Sequence, residues 1–152
     1  MAITMSGEIQ LSAPREIVWA KLNDPEVLKL CIPGCEELNK LSDTEFQAVA
    51  SIKIGPVKAR FRGRVKLSDL DPPNGYKISG EGEGGVAGFA KGGATVALTP
   101  KDGGTLLTYN VEAQIGGKLA QLGQRLIAGA SKKIAGEFFE KFAGVVGQSA
   151  SA

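Results

Sequence analysis

There is no histidine in this 152-residue sequence. That absence removes Ser-His-Asp and Cys-His catalysis, His-based zinc sites and the usual general base at neutral pH. Carboxylate or lysine chemistry remains open to an enzyme, so the range of mechanisms is short. Cysteine is nearly as scarce: Cys31 and Cys35 are too few for a disulfide framework, so a reducing cytoplasm is the expected setting. Aromatic residues make up 6% of the chain, and 18 Lys/Arg are almost balanced by 16 Asp/Glu, for a net charge of +2. With no basic block interleaved with aromatics, nucleic acid is not an expected partner. No stretch approaches the ~18–20 apolar residues of a membrane span. Residues 1–11 alternate rather than forming the apolar run of a leader peptide.

The remaining composition suits one domain, expected over 1–147, with a polar, small-residue tail over 148–152 expected to be disordered. Alternation predicts a first strand over 1–11. Ser12 or Ala13 then leads into a short helix with Pro14 in its first turn, and Asp24-Pro25-Glu26 opens a second that must stop before Pro33-Gly34. Strands are predicted over 36–41, 44–54, 57–67, 76–84, 89–98 and 105–115. They are separated by Gly55-Pro56, by the proline and Asn-Gly turn of 71–75 and by the glycine-containing turn of 100–104. Tight turns between consecutive strands mean antiparallel hairpins, so the fold class is α+β with helices gathered on one side of one sheet.

The longest element is a helix expected over 117–147. Leu119, Leu122, Leu126, Ala130, Ile134, Phe138 and Phe142 form one helical stripe, with Lys118, Arg125, Lys132, Glu140 and Lys141 off it. At about 45 Å, such a helix needs a broad surface, and a curved sheet supplies one.

The inward faces of the middle strands are unusual. They carry Ala48, Ala50, Ala59, Gly63, Gly80, Gly82, Ala90, Gly92 and Ala94, where a sheet packed on a helix normally offers large aliphatics. One reading is an apolar cavity of roughly 300–1,000 Å³ for a small organic ligand. Its lining would be Phe61, Val65, Val96, Tyr109, Val111, Leu122, Leu126 and Phe138, with Ala50, Gly80, Gly82 and Ala94 supplying room. The other reading is that the helix sinks closer, or that the glycines are bulges in a strongly coiled sheet.

On the opposite face, Lys58, Arg60, Arg62, Arg64 and Lys66 take every outward position of one strand, and Glu81 and Glu83 on the next can pair with part of the row. This pattern reads either as a solvated, partly neutralised ladder or as a docking stripe for an acidic partner or anionic headgroups. Gly80-Glu-Gly-Glu-Gly-Gly85 matches a dinucleotide fingerprint in letters, but no helix opens after it. Cys31-Ile-Pro-Gly-Cys35 lacks the spacing and the second ligand pair of a metal site. No catalytic residue and no metal ligand is expected.

The order strand, two short helices, six strands and a long C-terminal helix resembles the helix-grip fold of the START/Bet v1-like superfamily: a curved sheet of about seven strands around that helix. Within it, Cys31-Ile-Pro-Gly-Cys-Glu36, Val57-Lys-Ala-Arg-Phe-Arg-Gly-Arg-Val65 and Gly88-Phe-Ala-Lys-Gly92 resemble the CoxG family, named for the G-subunit of carbon monoxide dehydrogenase. The resemblance implies a non-catalytic accessory protein of a molybdenum CO dehydrogenase or related hydroxylase. It further implies a lipophilic ligand such as a quinone or lipid, and a place in the cytoplasm with peripheral contact at the inner face of the membrane. It also strengthens the cavity reading and the docking role of the cationic stripe. Fuller members of the family are expected to continue into a linker and an apolar segment, where this sequence has Gln148-Ser-Ala-Ser-Ala152, so it is expected to be either a truncated chain or a short, soluble member. Direct anchoring through these last residues is therefore not expected.

Overall fold

The computed structural model describes residues 1–151, with side chains described for 1–147. Seven antiparallel strands form one sheet in the order β1-β7-β6-β5-β4-β3-β2. They are β1 (Ala2–Leu11), β2 (Cys35–Ser42), β3 (Glu45–Ile54), β4 (Val57–Asp71), β5 (Gly75–Glu83), β6 (Phe89–Lys101) and β7 (Gly104–Gly116). Strands β2 to β7 follow one another as hairpins. The strand expected over 57–67 runs on to Asp71, and the last hairpin closes on two residues, Asp102 and Gly103, both at positive φ. That is the tight turn whose twist suits a hairpin.

Two short helices, α1 (Arg15–Leu22) and α2 (Pro25–Cys31), connect β1 at one edge of the sheet to β2 at the other. Each starts where proline sets the backbone. Pro14 is the N-cap of α1, and its carbonyl accepts from the amides of Ile17 and Val18. Asp24 caps α2, its Oδ1 accepting from the Glu26 amide at 3.0 Å, with Pro25 in the first helical turn.

The long helix departs from expectation at one point. It is broken at Leu122-Gly123 into α3 (Lys118–Gln121) and α4 (Gln124–Ser151). Gly123 takes φ of +91°, outside the helical region, and its carbonyl accepts from the Ile127 amide to start α4 afresh. The break shifts the stripe. Ile127, not Leu126, is buried, and the inward line continues through Ser131, Ile134 and Phe138 to the fully buried Phe142 and Val146. Leu126 is 41% exposed. The tail expected to be disordered over 148–152 lies outside the residues whose side chains are described.

The apolar core is two clusters, one at each end of the helical segment. The larger joins Leu11, Val18, Cys31, Phe46, Leu67, Tyr76, Leu98, Leu107, Phe142 and Val146, where α1, α2 and the later turns of α4 meet the sheet. The smaller joins Ile3, Ile115, Leu119 and Ile127, with Ile54, Val57, Phe61 and Leu122 packed on it. In the larger cluster Trp19 meets Tyr76 edge-on at 5.3 Å, and Tyr109, Phe139, Phe138 and Phe142 form a chain of ring contacts at 5.0–5.7 Å. Thr105 is completely buried, and its hydroxyl donates to the Ala13 carbonyl at 2.7 Å, tying the start of β7 to the entry of α1.

Burial raises the pKa of the Tyr76 hydroxyl well above its ordinary value of 10.0. Between the ordinary and the raised value the folded chain keeps a proton that the unfolded chain releases. Stability is therefore full below pH 10 and falls as pH rises above it, by up to about 1.4 kcal/mol per pH unit from this group. Urea denaturation from pH 8.5 to 11.5 should show a steeper alkaline loss for the natural protein than for Tyr76→Phe. Parallel curves for the two would contradict this assignment.

Candidate ligand-binding hollow

Strand register places the small residues side by side. Ala48 lies opposite Gly63, Gly63 opposite Gly82 and Gly82 opposite Ala90, a row four strands wide with nothing longer than a methyl group. The next row runs Val65, Gly80, Gly92, Ala113, and the one beyond it Ile78, Ala94, Val111. Above them, α4 presents Ala130, Ser131 and Ile134 between its two anchoring ends. None of these floor or roof residues is fully buried, although all lie on the apolar inner face. A helix resting on a filled sheet would bury them. The closest approaches of α4 are instead to β1, β3 and the other helices.

An open depression of about 310 Å³ occupies this floor, bordered by Val65, Ile78, Gly80, Gly82, Ala94 and Val111 among others. Its lining comes from the sheet, with no residue of α4, so it is a trough open toward the helix rather than a sealed chamber. Larger hollows adjoin it and share part of its border. One of about 400 Å³ opens by Leu41, Glu45, Lys66, Ser79 and Lys91, and one of about 730 Å³ by Lys77, Thr95, Asn110 and Glu112. The first also takes in Phe46, Val65, Gly80 and Gly92, so its wall joins apolar inner residues to charged outer ones, while outward polar and charged residues border most of the second.

The glycines of the floor are there for different reasons. A Cβ built on Gly92 would stand 2.1 Å from the Glu112 carbonyl oxygen, and one on Gly63 2.9 Å from that of Glu81, so these two are required by close strand approach. A Cβ on Gly80 would meet the Arg64 carbonyl at 3.2 Å, and one on Gly82 nothing nearer than 3.7 Å. Close coiling therefore explains part of the pattern, and Gly82 is the floor position where space itself is left open.

The residues expected to line a cavity separate into four places. Val65, Gly80, Gly82, Ala94 and Val111 border the trough. Val96, Tyr109 and Phe138 belong to the packed end, with Tyr109 stacked on Phe139 and leaning over Gly7 toward the edge strand. Phe61 and Leu122 pack at the other end, the Phe61 ring covering Gly84, and Ala50 lies opposite Phe61. Leu126 is outside the space altogether. Its Cδ2 sits against Gly55 at the β3–β4 turn, because the break at Gly123 turns it there. Ile78 and Ala113 also border the trough, and their parity with Gly80 and Val111 is the signal in the sequence that points to them. Ser131, whose hydroxyl donates to the Ile127 carbonyl at 2.8 Å, joins the roof only because of the helix break.

The inner positions of β3 to β7 carry no ionisable side chain except Tyr76 and Tyr109. Among the described residues no cluster of His, Cys, Asp or Glu could hold a metal ion. Cys31 is buried and Cys35 half-buried, both as free thiols. Burial raises both pKa values, opposed by Lys141 for Cys31 and most by Lys29 for Cys35. Protonated thiols at neutral pH make poor nucleophiles.

The family model for CoxG, the G-subunit of carbon monoxide dehydrogenase, matches residues 7–147. The chain belongs to this family. A search of curated protein sequences found no match. Among solved structures, a conserved protein from Geobacillus kaustophilus is similar at 36% identity, with 97% of each chain covered and a TM-score of 0.91. The likeness extends to a START superfamily protein from Mycobacterium smegmatis (13% identity, 95% of this chain and 97% of that one, TM-score 0.72). It also reaches the Zhui aromatase/cyclase from Streptomyces sp. R1128 (12% identity, 97% and 95%, TM-score 0.71). These two share the START/Bet v1-like fold with the CoxG chain. No helix among the described residues is long and apolar enough to cross a membrane.

The two kinds of floor glycine should respond differently to substitution. Gly82→Ala is expected to leave stability within about 1 kcal/mol of the natural protein, whereas Gly92→Ala forces strands apart and costs about 1–3 kcal/mol. Equal urea midpoints for the two variants would show that the floor is not divided in this way.

Proposed function

We propose that this CoxG-family protein is a non-enzymatic carrier. It holds a lipophilic molecule, an isoprenoid quinone or a lipid, in the space between the sheet and α4. It serves a molybdenum CO dehydrogenase-type oxidoreductase from the cytoplasm, at the inner face of the membrane. The observation that carries the reading is the divided core: aliphatic and aromatic packing at both ends of the helix, with a Gly/Ala floor and a half-exposed roof between. Such a span leaves apolar surface uncovered, at about 25 cal/mol per Å², and a bound apolar molecule would recover that energy. The volume of about 310 Å³ falls at the lower end of ligand sites, and the open roof side leaves room for a longer chain.

Membership in the family supports the accessory role, and the uncharged inner face argues against acid–base chemistry there. A cyclase-like reading has a cyclase among the similar folds in its favour, but no inner-face position bordering the hollow carries a carboxylate or histidine; Glu81 and Glu112, which also border it, belong to the outward face.

Native mass spectrometry of the purified protein, with solvent extraction of co-purified lipids, should reveal a bound hydrophobic molecule. A short-chain ubiquinone analogue, titrated while following the fluorescence of Trp19, the sole tryptophan, should quench and saturate. Gly82→Phe should remain folded and bind at least about tenfold more weakly, since a ring there occupies the trough. A folded Gly82→Phe variant with undiminished affinity would remove the hollow as the site.

A further inference from the structure

The outer face of β4 has more charge than it uses. Lys58, Arg60, Arg62, Arg64 and Lys66 all point away from the helix. Arg62 lies directly opposite Glu83 and Arg64 opposite Glu81. The expected pairing is not made: among the described residues, neither guanidinium reaches a carboxylate within 4.0 Å. Of the five, Arg60 alone forms an ion pair among the described residues, its Nη2 3.1 Å from Glu36 Oε1. Lys53 faces Lys58 across the hairpin in register, a like-charge pair that weakens the sheet. A groove of about 480 Å³ runs along this face, with Arg60, Arg62 and Arg64 on one side and Glu81 and Glu83 on the other.

We propose that this groove is a docking surface for an extended, acidic segment of a partner protein, with carboxylates on alternate residues. Cations on every second residue of a strand repeat at about 6.6–6.8 Å, the repeat of alternate side chains on any extended chain. A segment laid along β4 can therefore place one carboxylate on each arginine, and the planar guanidinium accepts it through two parallel hydrogen bonds. Any internal cross-strand pair displaced is worth only ~0.2–1 kcal/mol, so the protein's own glutamates are weak competitors. The shape favours a single strand over a lipid surface. A flat anionic layer would meet Glu81 and Glu83 on the rim, whereas a chain lying over β4 reaches the cations from the other side. The five cations are on the face of the sheet opposite the hollow, although Arg64 and Glu81 border both spaces.

Two fluorescein-labelled peptides of equal composition test the proposal on the full chain by anisotropy in low salt. One alternates glutamate with threonine over eight residues, and the other has four glutamates followed by four threonines. The alternating peptide should bind about fivefold or more tightly than the block peptide, with affinity falling as salt rises. Arg62→Gln/Arg64→Gln should weaken it about tenfold or more. Arg62→Lys/Arg64→Lys, which keeps the charge but loses the fork, should fall between. Equal affinity for the two peptides would overturn the register argument, and unchanged binding by a folded Gln variant would overturn the site. Sedimentation with phosphatidylglycerol vesicles, while the alternating peptide stays unbound, would assign the stripe to headgroups instead.

Discussion

The long helix is held at its two ends and left without support under its middle. At one end Phe142 and Val146 sink completely among residues of β1, β6, β7, α1 and α2, and at the other Ile127 and Leu119 meet Ile3 and Ile115. Between them the sheet offers a floor on which most side chains stop at Cβ or earlier. Two clusters are enough to fix the helix as a rigid span, because an α-helix carries its own backbone hydrogen bonds and needs no partner along every turn. The same arrangement leaves apolar surface uncovered, which an ordinary core would not do.

Most of this architecture could be read from alternation. The inward parity of β1 and of β3 to β7 agrees with the burial of the folded chain, from Ile3 and Leu11 through Phe46, Leu67 and Tyr76 to Leu98, Leu107 and Ile115, while Val49 is buried on the outward parity of β3. A period-2 pattern leaves little freedom, since a slip of one residue would turn every apolar side chain outward. The start of α2 was equally legible, because a capping aspartate and a following proline act through local geometry, whereas α1 begins at Arg15 with Pro14 as its extended N-cap rather than in its first turn.

The parts that could not be read depend on events outside a local window. Gly123 lies within a good helical stripe, and nothing in the spacing of Leu119, Leu122 and Leu126 reveals that the chain takes a positive φ there. Once it does, the first turn of α4 is rotated so that Ile127 rather than Leu126 is buried, while Ile134, Phe138 and Phe142 keep the inward side expected of them. The floor glycines show a second limit. Gly63 and Gly92 are set by how nearly a neighbouring carbonyl approaches, Gly82 by space above the sheet, and the one-letter code is the same for both. Register alone likewise put Arg62 against Glu83 and Arg64 against Glu81, but side-chain direction decides whether opposite charges meet.

The position of β1 constrains the order of assembly. It precedes the other six strands of the sheet in the chain, and all of its pairing is with β7, where Ala2 meets Gln114 and Leu11 meets Thr105. On the ribosome the hairpins from β2 to β6 can zip together one after another while β1 waits as a lone edge with no neighbour. Contacts closed across about a hundred residues are slow to form, and an unpaired strand in that interval is open to the wrong partner. The alternating Thr4, Ser6, Glu8 and Gln10 on its other face keep half of that waiting strand hydrophilic until β7 emerges.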